Sequence, residues 1–117
     1  MKRLYLASIN SWNGLVAAAR SEQAIREELV VLLLATPLAF VVGVTTVRSI
    51  ELIAVLLFLI AVELLNTAIE KLADRLTTDH DAQIGRVKDM GSAAVGTALL
   101  IAGVVWIVAI AERFGIV

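Results

Sequence analysis

Residues 50–69 read IELIAVLLFLIAVELLNTAI, an apolar run that as a helix extends about 30 Å, enough to cross the hydrocarbon core of a bilayer. Its second half carries Glu63 and Asn66, with Glu70 and Asp74 following. Counted from Glu63, the other three lie at offsets of 3, 7 and 11 residues, which on an α-helix keeps all four within one narrow arc. A carboxylate inside a span costs several kcal/mol. A lone one pairs with a neighbouring helix or holds an oligomer together. A stripe that continues to the helix end points instead to a site, although Glu70 and Asp74 by themselves would read as a solvated face.

The rest of the chain fits a membrane setting. It has 117 residues, 60% of them hydrophobic, and a mean hydropathy of +0.91. Ordinary soluble domains are about half apolar. There is room for one small membrane unit and no second domain. A net charge of −1 gives no electrostatic case for nucleic acid. Cysteine is absent, which removes disulfides and thiolate metal sites. The opening MKRLYLASINSWNG lacks the uninterrupted apolar core of a signal peptide and is expected to stay in the mature protein.

The fold expected is an all-α membrane protein: an N-terminal amphipathic surface helix over about 4–19, then membrane helices over about 22–44, 50–70 and 90–112. The first span, LVVLLLATPLAFVVGV at 29–44, is short at about 24 Å. The polar run SEQAIREE before it is expected to continue the same helix into the interface, with Ser21 as N-cap and Glu22 in the first turn. Pro37 is expected to kink it. TTVRS is a tight connection, whereas KLADRLTTDHDAQIGRVKD reads as a long one. Lys2, Arg3, Arg20, Arg26, Lys71, Arg75, Arg86 and Lys88 lie on one side and only Arg48 and Arg113 on the other. That asymmetry places the N-terminus and the long connection in the cytoplasm. Tyr5 and Trp12 suit one interfacial belt and Trp106 the other.

Glu63 lies about 10 Å inside the cytoplasmic end of its helix, a depth suited to a base acting at a lipid headgroup. Glu22, Arg26 and Glu28 face the same layer from the first span, and Lys88, Asp89 and Ser92 from the third. Oxygen ligands from Glu22 and Glu70 would suit Mg²⁺, which is held by one or two carboxylates together with substrate phosphates; spacing does not show whether they meet. Gly91 opens a close backbone approach, and Ser92, Gly96 and Gly103 form a small-residue stripe suited to helix packing. Glu27, Glu51, Glu112 and Arg113 read as solvated ends. No phosphate-binding GxxxxGK[ST] loop and no protein-kinase signature occurs.

VELLNTAIEKLADR, followed by GRVKDMGSAAV, resembles the prokaryotic diacylglycerol kinase family from about Arg3 to the C-terminus. The resemblance implies a homotrimer of three-span subunits in the bacterial inner membrane, each with a surface helix, that transfers the γ-phosphoryl group of ATP to diacylglycerol. By position, Glu63 matches the general base, and Glu22 and Glu70 match ligands of Mg²⁺. Arg3, Lys88 and Asp89 match residues around the nucleotide, and Asn10, Asp79 and Asp81 fall to the nucleotide side too. Arg26, Glu28, Asn66 and Ser92, with Arg3, match the lipid side. Two departures stand out: Asn10 replaces a frequent aromatic, and His80-Asp81 replaces a frequent Tyr-His. Undecaprenol kinases share the catalytic stripe, but KDMGSAAV looks more like the diacylglycerol branch. A small multidrug transporter subunit is the reading from another class, and such proteins usually have four spans and one buried acid.

Overall fold

The computed structural model describes residues 1–77 and 79–117, and among them every regular element is an α-helix: α1 Lys2–Ser21, α2 Gln23–Val42, α3 Thr46–Leu76 and α4 Ala82–Arg113. The two central helices are longer than the hydropathy pattern suggests. KLADRL contains strong helix formers and no glycine or proline, so α3 runs on to Leu76. At the start of α4, Asp81 accepts hydrogen bonds from the backbone N–H groups of Gln83 (2.9 Å) and Ile84 (3.1 Å), satisfying donors that the first turn would otherwise leave free. Most of the long connection expected over 71–89 is therefore helix. Thr45 caps α3 in the same manner through the Arg48 N–H at 3.1 Å. At the far end of α4, Gly115 takes a positive φ of 74°. The N–H groups of Gly115 and Ile116 return to Glu112 and Ala111, a Schellman closure.

The α1–α2 junction corrects one expectation. Ser21 ends α1, and Glu22 stands in extended backbone as the N-cap of α2 without a capping side-chain bond. Arg26 ties the junction instead, its Nη1 donating to the Ala19 carbonyl at 2.8 Å and the Arg20 carbonyl at 3.1 Å. A cation on the last carbonyls of a helix also offsets the negative end of its dipole. α2 passes through Pro37 as a single helix.

α3 is the centre of the bundle, packed on α4 along its length and on α2 along one side. Ala39, Leu52 and Ala109 have no exposed surface and form the tightest point, with Val42, Ile53, Val105 and Trp106 around them. On α4 the buried residues are Gly91, Ala98, Ala102 and Ala109, spaced to make one small-residue face that lets α3 approach closely. This is not the expected stripe: Ser92, Gly96 and Gly103 lie on the outer face, and Gly96 and Gly103 meet nothing within 4 Å of where a Cβ would be. Trp106 serves the packing too, its indole N–H donating to the Leu52 carbonyl at 3.1 Å. Nor are Glu51 and Glu112 merely solvated ends. The Arg48 guanidinium spans both, 2.8 Å from Glu51 and 3.1 Å from Glu112, and staples α3 to α4.

α3 and α4 are long and apolar enough to cross a membrane. The uncharged part of α2, Leu29 to Val42, is shorter at roughly 21 Å. It nevertheless exposes Val30, Val31, Leu33, Leu34, Leu38 and Phe40, large apolar side chains that suit contact with lipid or with another apolar surface. With no exposed area at Ala39, Ala39→Leu should overpack the α2–α3–α4 contact and lower unfolding stability by about 1–3 kcal/mol. Denaturation in detergent micelles reads this directly, with Leu38→Ala on the exposed face as a near-neutral control.

Candidate functional site

The polar stripe of α3 lies beside the start of α2. Glu63 lies within electrostatic reach of Glu70 on its own helix and of Glu22 at the start of α2, and Glu28 of α2 is within reach of Glu63. The structure thus brings together two carboxylates of α2 and two of α3 that are as far apart as 48 positions in the chain (70 − 22). Glu22, Glu28, Glu63 and Glu70 are all half-buried. Like charges within reach of one another favour the uptake of a cation or of protons.

Some of that charge is already balanced. The Lys71 ammonium sits 3.5 Å from Glu22, and the Lys88 ammonium 2.6 Å from Asp74. The second pair joins α3 to α4 at the end that carries the stripe. Lys71 was invisible as a site residue in the sequence because its partner lies on another helix. Asn66 is 7% exposed, and its Nδ2 donates to Glu70 Oε1 at 3.2 Å. It therefore faces the protein interior and is bonded to Glu70.

The remaining expected residues are more dispersed. Arg3, Asn10, Asp89 and Ser92 are exposed. Arg3 and Asn10 lie on the part of α1 that precedes its contact with the bundle, where Ala18 is its buried residue. Asp79 is exposed and donates its backbone N–H to Thr77 Oγ1 at 3.0 Å. One Asp81 oxygen is already engaged in capping α4. Arg26 holds the α1–α2 junction with one of its two terminal nitrogens, which leaves the other end of the fork to meet a ligand.

Two recesses flank the carboxylates. One, of about 530 Å³, runs between α2, α3 and α4, from Glu28 past Val31, Ala35 and Leu59 to Trp106. It is apolar throughout apart from the acidic rim. The other, of about 700 Å³, opens between α1 and α3 and is bordered by Ser11, Gly14, Thr67 and Lys71. An apolar trough with carboxylates at its rim suits a molecule that is greasy at one end and polar at the other.

Glu22 and Glu70 are hard oxygen donors that each lie within electrostatic reach of Glu63, a chemistry that fits a divalent cation sharing its coordination with phosphate oxygens. Among the described residues no three acidic, His or Cys side chains converge as a complete metal cage, so these two are the donors that α2 and α3 offer. Because Arg26 anchors the end of α1, Arg26→Gln should leave α2–α4 intact while loosening α1. Amide exchange over residues 15–22 should then rise by at least about tenfold, the equivalent of roughly 1.4 kcal/mol of lost local protection. Unchanged exchange there would mean that the guanidinium is not holding the junction.

Residues 9–110 match the family described as prokaryotic diacylglycerol kinase. The chain is similar to the diacylglycerol kinase of Escherichia coli K12, 39% identical over 113 residues that cover 97% of this chain and 93% of that protein. It is likewise similar to the diacylglycerol kinases of Haemophilus influenzae (42% over 96 residues, 82% and 81% covered) and Pseudomonas aeruginosa (38% over 106 residues, 91% and 86% covered).

Proposed function

The chain belongs to the prokaryotic diacylglycerol kinase family and is a lipid kinase; from that premise we propose that it phosphorylates diacylglycerol to phosphatidic acid with ATP at the cytoplasmic face of the bacterial inner membrane. The observation that carries this reading is the placement of Glu22 and Glu70 within electrostatic reach of Glu63, with Glu28, also within its reach, at the rim of an apolar trough. A transporter needs a path across the membrane. A phosphotransferase needs a base, a place for phosphate charge and a seat for the acceptor, all at one level.

In the reaction, Glu63 accepts the proton of the lipid hydroxyl as its oxygen attacks the γ-phosphorus, and ADP leaves with the bond to its β-phosphate oxygen broken. Glu22 and Glu70 would hold Mg²⁺, which when bound neutralises phosphate charge. Lys88 is the cation nearest in kind to the usual phosphate contact, and leaving Asp74 for the nucleotide exchanges one carboxylate for a more highly charged partner. Arg3, Asn10, Asp79, Asp81 and Asp89 stand on the nucleotide side. Arg26, Glu28 and Ser92 stand on the lipid side, with the acyl chains along Val31, Ala35 and Leu59.

We read α2, α3 and α4 as three spans and the working unit as a homotrimer. One three-helix subunit leaves the stripe partly uncovered, and polar groups facing hydrocarbon cost several kcal/mol each. The open small-residue face of α4 at Ser92, Gly96 and Gly103 offers a neighbour a close approach, as do the exposed apolar residues Leu4, Ile9 and Trp12 of α1. The named relatives favour diacylglycerol over undecaprenol as acceptor.

Glu63→Gln should preserve the fold and reduce turnover by roughly a hundredfold or more, the scale of a lost acid–base group. Radiolabel transfer from ATP to diacylglycerol and to undecaprenol in micelles measures it, and near-normal turnover with either lipid would sink the assignment of the base. If sites lie between subunits, inactive Glu63→Gln protein mixed with inactive Glu22→Gln protein should regain activity once subunits exchange. Exchange without recovery would place both carboxylates in one chain.

A further inference from the structure

Asn66 has a feature that its bond to Glu70 does not explain. Its Oδ1 is fully buried and accepts no hydrogen bond, although an unpaired buried carbonyl costs on the order of 1–3 kcal/mol. The atom it faces is the bare Cα region of Gly91 on α4: a Cβ added there would overlap Asn66 Oδ1 and come within 3.3 Å of Asn66 Cγ. Gly91 is itself buried. Nothing in its helical backbone demands glycine, since Gly115 alone takes a positive φ. The demand is steric and comes from across the α3–α4 contact.

We propose that Gly91 is a positioning residue for phosphoryl transfer: the gap it leaves on α4 seats the Asn66 carboxamide, and the seated Asn66 fixes the rotamer of Glu70. The amide has two ends. With Oδ1 pressed against Gly91, Nδ2 is turned along α3 and meets Glu70 Oε1. Any side chain at Gly91 displaces the oxygen end and swings the nitrogen away from the carboxylate. Glu70 then regains the freedom of an ordinary surface glutamate. The unpaired carbonyl is retained because the alternative, a larger residue on α4, releases the carboxylate it indirectly holds.

The inference rests on the reading of Glu70 as a ligand of nucleotide-borne cation, so its test measures binding rather than turnover. The trimer in micelles is titrated with Mn²⁺ and ADP, and bound Mn²⁺ is followed by electron paramagnetic resonance. Gly91→Ala should weaken Mn²⁺–ADP binding by roughly tenfold, the low end of what losing an outer-shell partner of a ligand does. Asn66→Ala should weaken it by a similar factor. The double variant Asn66→Ala/Gly91→Ala should lose no more than about a further twofold, because residues acting through one contact are not additive. Gly85→Ala, with open space at its Cβ, should bind as the parent does.

Two independent losses that multiply in the double variant would overturn the proposal, and so would unchanged binding in Gly91→Ala. If Gly91→Ala alone fails to fold, the double variant should fold again, since the displaced amide is gone; failure of both overturns it equally. Failure of the metal reading looks different. Glu70→Gln would then leave Mn²⁺–ADP binding intact, while the Asn66-dependent cost of Gly91→Ala would still appear in thermal unfolding.

Discussion

A carboxylate on an apolar helix must be covered by protein or by substrate, and the arrangement of this chain follows from that constraint. α3 carries the stripe, so the other helices are placed by how they cover it. α4 approaches closely enough for Gly91 to touch Asn66 and for Lys88 to reach Asp74. α2 begins where Glu22 can meet Lys71. At the opposite end, where no chemistry is needed, Arg48 closes the bundle on Glu51 and Glu112. Each end of the α3–α4 pair is thus held by charge, and the middle by alanine packing, which in lipid replaces the hydrophobic drive that a soluble core relies on.

The helical class, the stripe and the separate N-terminal helix were legible in the sequence because they depend on local periodicity and on the cost of charge in hydrocarbon. Helix ends were less so. Hydropathy marks where a helix leaves the membrane and not where its hydrogen bonding stops, so α3 and α4 extended well into the stretch that reads as a loop. Partners across helices were not legible at all. Arg48 with Glu112, Lys71 with Glu22, and Trp106 with the Leu52 carbonyl join positions whose separation carries no pattern. The small residues of α4 show the same limit. Both faces of that helix carry them, and only the packed bundle distinguishes the inner set, Gly91 to Ala109, from the outer set at Ser92, Gly96 and Gly103.

Family membership and geometry contribute different parts of the functional reading. The relatives name the reaction class, and their similarity covers nearly the whole chain. The fold explains why so small a protein is able to perform it. Phosphoryl transfer asks for little covalent chemistry from the protein and much positioning, which four helices supply if a few side chains are held rigidly. The carboxylates are contributed by two helices, so the α2–α3 register sets their spacing. Arg26 fixes where α1 ends and α2 starts, and Asn66 fixes Glu70.

The two substrates also differ in phase, and the site must meet both without mixing them. Nucleotide comes from water and diacylglycerol from the bilayer. A trough whose walls are Val31, Ala35, Leu59 and Trp106 suits a greasy chain, whereas the glutamates at its rim repel phosphate itself. On the reading proposed above, the glutamates would act as a boundary as well as a catalytic set: a lipid hydroxyl would reach Glu63 from the trough, whereas a polyphosphate would descend only as far as balancing cations accompany it. In that reading the two paths end at Glu63, which lies a few turns inside its helix and not at the end.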